Sequence, residues 1–573
     1  MFLYIVTVLT VMVGLAQAAN CQNLPPGLSK IVQGVDISKL DLLPLDNTGD
    51  NGILKPIFDF TCSKGNKWTN SKGVVYDLPD QIVHIDTLPG GSFTSRIAYY
   101  KDYKELKNEM STNVGLDAMT AMFAFSLSAS YKKLKHAIDN SSTQTSEASA
   151  FLSVFRADVN TPDFLTLDEQ LKSYIDKSLN GTFESSAQAY DKIIELFGTH
   201  YFSSANFGGY IRVLLETDEK YALNKSESDI KANAKASLDQ LGSGKFDFSK
   251  EKLKTDEQFK TATHKTVKYY GGETNNTENV DFPAWQSTIE KNPWLYSGKL
   301  VPISDLIKDE TKKSSMIKAV KNHLLKGFLD ELETSTHSLS ENFDNFIIKD
   351  LWSKAKLLQK NKILSEDDVN ALAKTVEDYT NIPTWFSHDT QICFQWKSTG
   401  MSSQCNDLSE GVFCSQINNM SSWYHDSTNL LFGGCKLQWK IQSKNFPTWF
   451  KDVKLCFQYE ATGDKDQCVG ATKEKTVCAN INTYTPEYMD DTDGRSGGCN
   501  MRWKLEVPQT APLWMQAVRL CFSWKATGDA KQCGVGSPTD QCVIGNNWTK
   551  FYLDDTDNSS GGCDLSWGLK TSV

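Results

Sequence analysis

The stretch Tyr190–Gly209, YDKIIELFGTHYFSSANFGG, decides how the rest of this chain is read. Tyr190 is followed after six residues by Phe197-Gly198-Thr199-His200-Tyr201, and after six more by Gly208-Gly209. A spaced pattern of that length rarely arises by chance. His200 has no carboxylate or serine at a catalytic spacing, so it reads as a structural histidine hydrogen-bonded inside a sheet. The chain also lacks H-E-x-x-H, G-x-S-x-G, a P-loop and a dinucleotide fingerprint, so no enzyme is expected. Its formal net charge of -10 argues against nucleic acid, whose phosphates call for a basic surface.

At every defining position the pattern resembles the signature of the membrane attack complex/perforin family. The resemblance runs from Cys21 to about Glu333 and takes in Gly271-Gly272, Trp285, Pro293-Trp294, Pro302 and Ser304-Asp305-Leu306 in the family's order. It implies an α+β fold in which a bent, twisted antiparallel sheet is flanked by two helical clusters. Gly208 and Gly209 would lie at the bend, where a residue without Cβ lets the backbone take otherwise forbidden angles. It also implies a mechanism. Each cluster unwinds into a β-hairpin, and many subunits on a target membrane join their hairpins into one barrel through the lipid.

Two stretches should therefore be able to refold. In the first, roughly Lys104 to Val159, Phe123, Phe125, Leu127, Ala129 and Tyr131 alternate with Ala124, Ser126, Ser128 and Ser130, the apolar-out, polar-in pattern of a barrel strand. Its return arm is expected at Ala148 to Phe155. In the second, roughly Asn224 to Tyr270, Ile230, Ala232, Ala234, Ala236 and Leu238 alternate with Lys231, Asn233, Lys235, Ser237 and Asp239, and the return arm includes Phe259 to Tyr270. Good helix formers dominate Ser226 to Leu241, so the same letters tolerate a helix. Burying Phe123, Phe125 and Leu127 in lipid gains about 1.5 to 3 kcal/mol each. Ordering some ten strand residues costs roughly 10 to 20 kcal/mol. One strand alone loses, and its edge amides would stay unpaired in hydrocarbon until a barrel closes.

Residues 1–18 form an apolar run ending in Ala16-Gln17-Ala18, which reads as a secretory signal. No later apolar run is long enough for a membrane-spanning helix. Fourteen cysteines in a secreted chain of 573 residues are expected to pair, and sequons at Asn140, Asn180, Asn224, Asn275, Asn419, Asn547 and Asn558 fit the same route. The expected division places the perforin-like domain at 19–335, a helical connector at 336–382 and a C-terminal module at 383–573. Met316, Val320, Leu324, Phe328 and Leu332 mark a helix face before the connector, and Ser365 reads as an N-cap within it.

The C-terminal module is a threefold repeat, 383–446, 447–511 and 512–573, each unit opening on proline followed two residues later by Trp385, Trp449 or Trp514. Cys393, Cys405, Cys414 and Cys435 recur as Cys456, Cys468, Cys478 and Cys499, and as Cys521, Cys533, Cys542 and Cys563. Disulfides within units follow, with three connectivities open in each, and Cys21 and Cys62 complete an even total. Alternating apolar positions predict three small β units about a pseudo-threefold axis. Asp490-Asp491-Thr492-Asp493 and Asp554-Asp555-Thr556-Asp557 read first as turns whose side chains bond backbone amides, with Ca²⁺ as the lesser alternative. Unit one departs from them with His425-Asp426-Ser427-Thr428.

A perforin-like body joined to such a module resembles the heavy subunits of the perivitellin-2 family of egg toxins. That resemblance implies a defence role and a separate lectin light chain linked by a disulfide. The even cysteine count leaves such a partner a thiol only if one of the internal pairs is diverted. The family resemblance also assigns target recognition to the appended module. A non-lytic adhesion, storage or developmental role is the alternative reading.

Overall fold

The computed structural model describes residues 20–46, 51–88, 93–100, 102–139, 143–222, 225–242, 257–273, 280–342, 346–427, 434–463, 465–491, 498–528, 533, 539–555 and 562–571. The expected leader lies outside them, as do Asn140, Asn224, Asn275 and Asn558. The chain forms two units, one of residues 1–331 with 361–364 and the other of 332–360 with 365–573.

The first unit is built on an eight-stranded antiparallel sheet: β1 (Gln33–Val35), β2 (Ile53–Pro56), β3 (Ile82–Thr87), β4 (Thr94–Tyr100), β5 (Thr143–Val159), β6 (His200–Asp218), β7 (Thr263–Tyr270) and β8 (Trp294–Pro302). β5 and β6 form its spine and pair from Thr143↔Asp218 to Asp158↔Ser204. Both spine strands change outer partner at one level. β6 leaves β8 at Gly208 and takes up β7 at Tyr210, while β5 leaves β3 at Phe155 and takes up β4 at Phe151. A register shift between Ser153 and Phe155 marks the same level, and bulges of this kind bend a sheet.

Gly208 and Gly209 sit at this level for a reason other than the one expected. Neither has positive φ. A Cβ on Gly208 would stand 2.0 Å from the Leu152 carbonyl oxygen, and one on Gly209 would stand 2.4 Å from Ile289 Cδ1. Close approach across the bend, not backbone angle, excludes a side chain there. Gly198 is the signature glycine that needs left-handed geometry, with φ 83° and the Val35 backbone against it.

Past the bend, every residue from Phe207 to Leu215 is buried, so the strand is covered on both faces. Aromatic pairs fill the region: Phe155 stacks on Phe207 at 4.6 Å, and Tyr210 packs with Tyr270 and Tyr296. The helix Glu310–Asn342 carries the predicted stripe, and Met316, Val320, Leu324, Phe328 and Leu332 are all buried.

In the second unit the helix Glu366–Thr380 opens with Ser365 accepting from the Asp368 amide. The three repeats are less independent than their sequence suggests. Each builds three strands of a four-stranded sheet, and the fourth comes from another repeat. Tyr488–Asp491 completes the first repeat's sheet, Tyr552–Asp555 the second's and Tyr424–Ser427 the third's, which closes a ring. Trp439, Trp503 and Trp567 meet at its centre with ring centroids 5.6 to 5.7 Å apart. Asp490 and Asp554 lie in these exchanged strands and not in turns. Asp426 is their equivalent in repeat one, so that repeat keeps the pattern it seemed to break.

Within each repeat the first cysteine pairs with the third and the second with the fourth: Cys393–Cys414 and Cys405–Cys435, Cys456–Cys478 and Cys468–Cys499, Cys521–Cys542 and Cys533–Cys563. Cys21 pairs with Cys62, and no cysteine is free. The expected disulfide-linked light chain therefore has no thiol to join. Attachment would require an internal bridge to open.

Candidate functional site

Two helical connections rise from the bent end of the first unit's sheet. The first joins β4 to β5 through the helices Tyr103–Val114, Ala118–Phe123 and Ala129–Asp139. Asp102 caps the first by accepting from the Lys104 and Glu105 amides, and Asp117 caps the second in the same way through Met119 and Thr120. The second connection joins β6 to β7 through Glu219–Ala222, Glu227–Gly242 and Glu257–Ala262, with residues 243–256 outside the described set. Ser226 and Asp229 cap its long helix reciprocally, each side chain bonding the other's amide.

The strands that each connection joins are already neighbours in register. β4 ends at Tyr100↔Thr145 beside the first, and β6 and β7 end at Thr217↔Thr263 beside the second. Each helical cluster thus occupies the place of a hairpin loop. Most of the expected return arms already lie in the sheet: Ala148–Phe155 belongs to β5, and β7 begins at Thr263 just after the helix that holds Phe259. Any strand that extends these hairpins must come from 101–142 and 219–262. Each segment is long enough for two arms of the roughly ten residues that cross hydrocarbon.

None of the alternating residues is a strand in this structure. Phe123 ends one helix, Ala129 and Tyr131 begin another, and Phe125 between them has φ 63°, an uncommon left-handed geometry for a bulky residue. The backbone here is held by β1's continuation, with Phe125 N–H donating to the Ile37 carbonyl and Leu127 N–H to the Ser38 carbonyl. Ser126, Ser128 and Ser130 are buried, and Ser130 Oγ accepts from the Leu45 amide at 2.8 Å. In the second cluster Ile230, Ala234, Ala236 and Leu238 are buried while Ala232 is exposed, which follows helical and not strand periodicity.

One ion pair anchors the first cluster. Lys107 Nζ lies 3.0 Å from Glu331 on the helix Glu310–Asn342 and also donates to the Met122 carbonyl. Tyr131 donates to the other Glu331 oxygen at 2.7 Å, and both charged side chains are over nine-tenths buried. Burial alone would raise the Glu331 pKa, but the Lys107 charge overrides it and holds it low. A second buried pair, Arg212 on β6 with Glu147 on β5 at 2.8 Å, joins the spine strands. A cavity of about 50 Å³ between this pair and Leu106, Met110 and Phe125 lies under the first cluster.

The signature residues form a brace at the far end of β6. Thr199 Oγ1 donates to the Val35 carbonyl and accepts from the Ile37 amide, both at 3.1 Å. His200 lies against it, with Nδ1 3.0 Å from Thr199 Oγ1, and burial depresses its pKa to about 4. Tyr190 donates to the Gly181 carbonyl, while Phe197 and Tyr201 are buried. His200 is therefore neutral and structural here. Among the sequons, Asn180, Asn419 and Asn547 are exposed.

A bent antiparallel sheet, a glycine pair closing its bend and two helical connections in hairpin positions define a class. The MAC/Perforin domain family matches residues 24–331, and the chain belongs to it. Across nearly its whole length it is similar to the perivitellin-2 67 kDa subunit: 34% identical over 96% of this chain and 95% of the Pomacea canaliculata protein, with the same figures for Pomacea maculata. The solved structure of GNIP1Aa from Chromobacterium piscinae is 13% identical, covers 93% of this chain and 82% of its own, and superposes with a TM-score of 0.43.

Proposed function

We propose that this protein is a secreted pore-forming toxin that gathers on target membranes and inserts two β-hairpins per subunit into a shared transmembrane barrel. The observation that carries this reading is the register at the two connections. Residues 101–142 and 219–262 each link strands that are already paired, so converting helix to strand lengthens an existing ladder without breaking it. Among the described residues no helix is long and apolar enough to cross a membrane. Assembly must accompany insertion, because only neighbouring hairpins satisfy the edge amides. The C-terminal module would serve membrane or partner recognition. By likeness to the perivitellin-2 subunits, egg defence is the setting.

A disulfide lock tests it. A Cβ at Gly115, in the first cluster, would stand 3.7 Å from Cβ of Lys299 on β8, within the span of a disulfide, and the left-handed backbone at Gly115 (φ 64°) adds a strain of roughly 1 to 2 kcal/mol to the lock. The Gly115→Cys/Lys299→Cys protein should release no dye from liposomes when oxidised and should regain release and ring-shaped oligomers on mild reduction. Lysis by the oxidised variant would refute unwinding of the first cluster. A biological effect that survives the lock while no vesicle leaks would favour a non-lytic adhesion, storage or developmental role.

A further inference from the structure

The axis of the repeat module holds a polar cluster that the pore mechanism does not use. Asp426, Asp490 and Asp554 each come from an exchanged strand of a different repeat, facing Cys563, Cys435 and Cys499 across the ladder. One carboxylate oxygen from each lies within 4.8 Å of the others, and the three residues are 1%, 3% and 2% exposed. Three carboxylates packed this closely out of water repel one another strongly.

A second observation points into the same place. Neither carboxylate oxygen of Asp426 receives a hydrogen bond. It lies against Asp490, with which it can pair only through a shared proton, and among the described residues no basic group offsets its charge. Two residues before each aspartate on the same strand stand Tyr424, Tyr488 and Tyr552, essentially fully buried, and none of their hydroxyls has a hydrogen-bond partner. Two residues apart on one strand, each tyrosine lies on the same face as its aspartate, the face that brings the three carboxylates together. Buried polar groups without partners are rare, and here they converge from three repeats.

We propose that Asp426, Asp490 and Asp554 bind a single hard divalent cation of the calcium type on the pseudo-threefold axis. Calcium takes six to eight oxygens at about 2.3 to 2.6 Å, so opposite ligands stand roughly 4.6 to 5.2 Å apart. Three carboxylates supply six oxygens, and one oxygen from each already lies no more than 4.8 Å from the others, close enough to share one ion. The other described acidic cluster with a histidine, His84, Asp86 and Asp158, is largely exposed and already paired within itself. Because each axial carboxylate arrives on an exchanged strand, the ion would staple the ring where the repeats trade strands.

The test uses the full-length secreted protein. Elemental mass spectrometry after dialysis against Ca²⁺ should find one calcium per chain, and Tb³⁺ should show emission sensitised by the neighbouring tyrosines and displaced by Ca²⁺. Removing calcium with a chelator should lower the unfolding midpoint seen by tryptophan fluorescence by about 5 to 10 °C relative to calcium at a hundredfold above its Kd. Asp490→Asn should weaken Tb³⁺ binding at least about tenfold. The wild-type protein decides the matter if that variant does not fold. A protein that holds no calcium and whose midpoint ignores the chelator overturns the proposal and leaves the carboxylates bridged by protons. Tb³⁺ binding that survives Asp490→Asn does so equally, since the ion then sits elsewhere.

Discussion

The helical connections of the first unit and the repeat module of the second are stabilised by opposite means. The module has two disulfides in each repeat, a tryptophan triad on its axis and strands traded in a ring. The connections have no disulfide among their described residues. The first is held by a buried ion pair, a buried serine that accepts from the Leu45 amide and backbone bonds to residues 37 and 38, with Phe125 in a costly conformation. Under the proposed function, these polar tethers are released when the ladder lengthens, whereas the interlocked strands and cross-links of the module are kept. On that proposal, the difference separates a part that changes from a part that stays.

The largest expected effect tests the fixed side. Trp503→Ala should cost about 3 to 5 kcal/mol and unfold the module at lower denaturant, read by near-ultraviolet circular dichroism. The first unit's own transition should not move. On the convertible side, Lys107→Met leaves Glu331 buried without its cation and should cost about 3 kcal/mol or more. It should also shorten the half-time of dye release, since the tether on the first cluster is gone. If release slows instead, the ion pair is needed in the inserted state and the comparison fails.

Acid should act on the brace of the first unit. His200 is neutral in the fold with its pKa near 4, against an ordinary value of 6.5, so the unfolded chain binds the extra proton between those values. Its contribution, roughly 3 kcal/mol, is fully present above pH 6.5 and is lost as the pH falls towards 4. Thermal midpoints across that window should fall for the wild type and fall less for His200→Gln. The smallest effect on stability is the most diagnostic for insertion. Ala232 is exposed in this structure, so Ala232→Arg should change stability by less than about 0.5 kcal/mol. On a lipid-facing strand the same arginine costs about 2 to 4 kcal/mol, so dye release should fall sharply. Asn233→Arg, on the opposite face of such a strand, should be tolerated.

The sheet and the repeats were legible because their signals are local: a spaced signature, a stripe of five apolar residues on one helix, twelve cysteines in a fixed rhythm. What escaped depends on partners distant in sequence. Tyr424–Ser427 is four residues long and says nothing of the strand near residue 562 that it joins. Asp426 was hidden because its flanking letters differ from those of Asp490 and Asp554. Yet Tyr-x-Asp recurs in all three repeats as Tyr424-His425-Asp426, Tyr488-Met489-Asp490 and Tyr552-Leu553-Asp554, and that spacing could have revealed it. The alternation at 123–131 forms no strand in the structure because these residues end one helix, turn against residues 37 and 38 and begin the next.

The traded strands also fix a number. In an open solenoid a copy can be added or lost at either end, because each copy touches only its neighbours. Here the last copy borrows from the first, so dropping one would leave a lender without a borrower and a bare sheet margin. Duplication would have to reseat the Trp439, Trp503 and Trp567 axle for four spokes at once. Three is therefore a count that copying or losing a single unit would break.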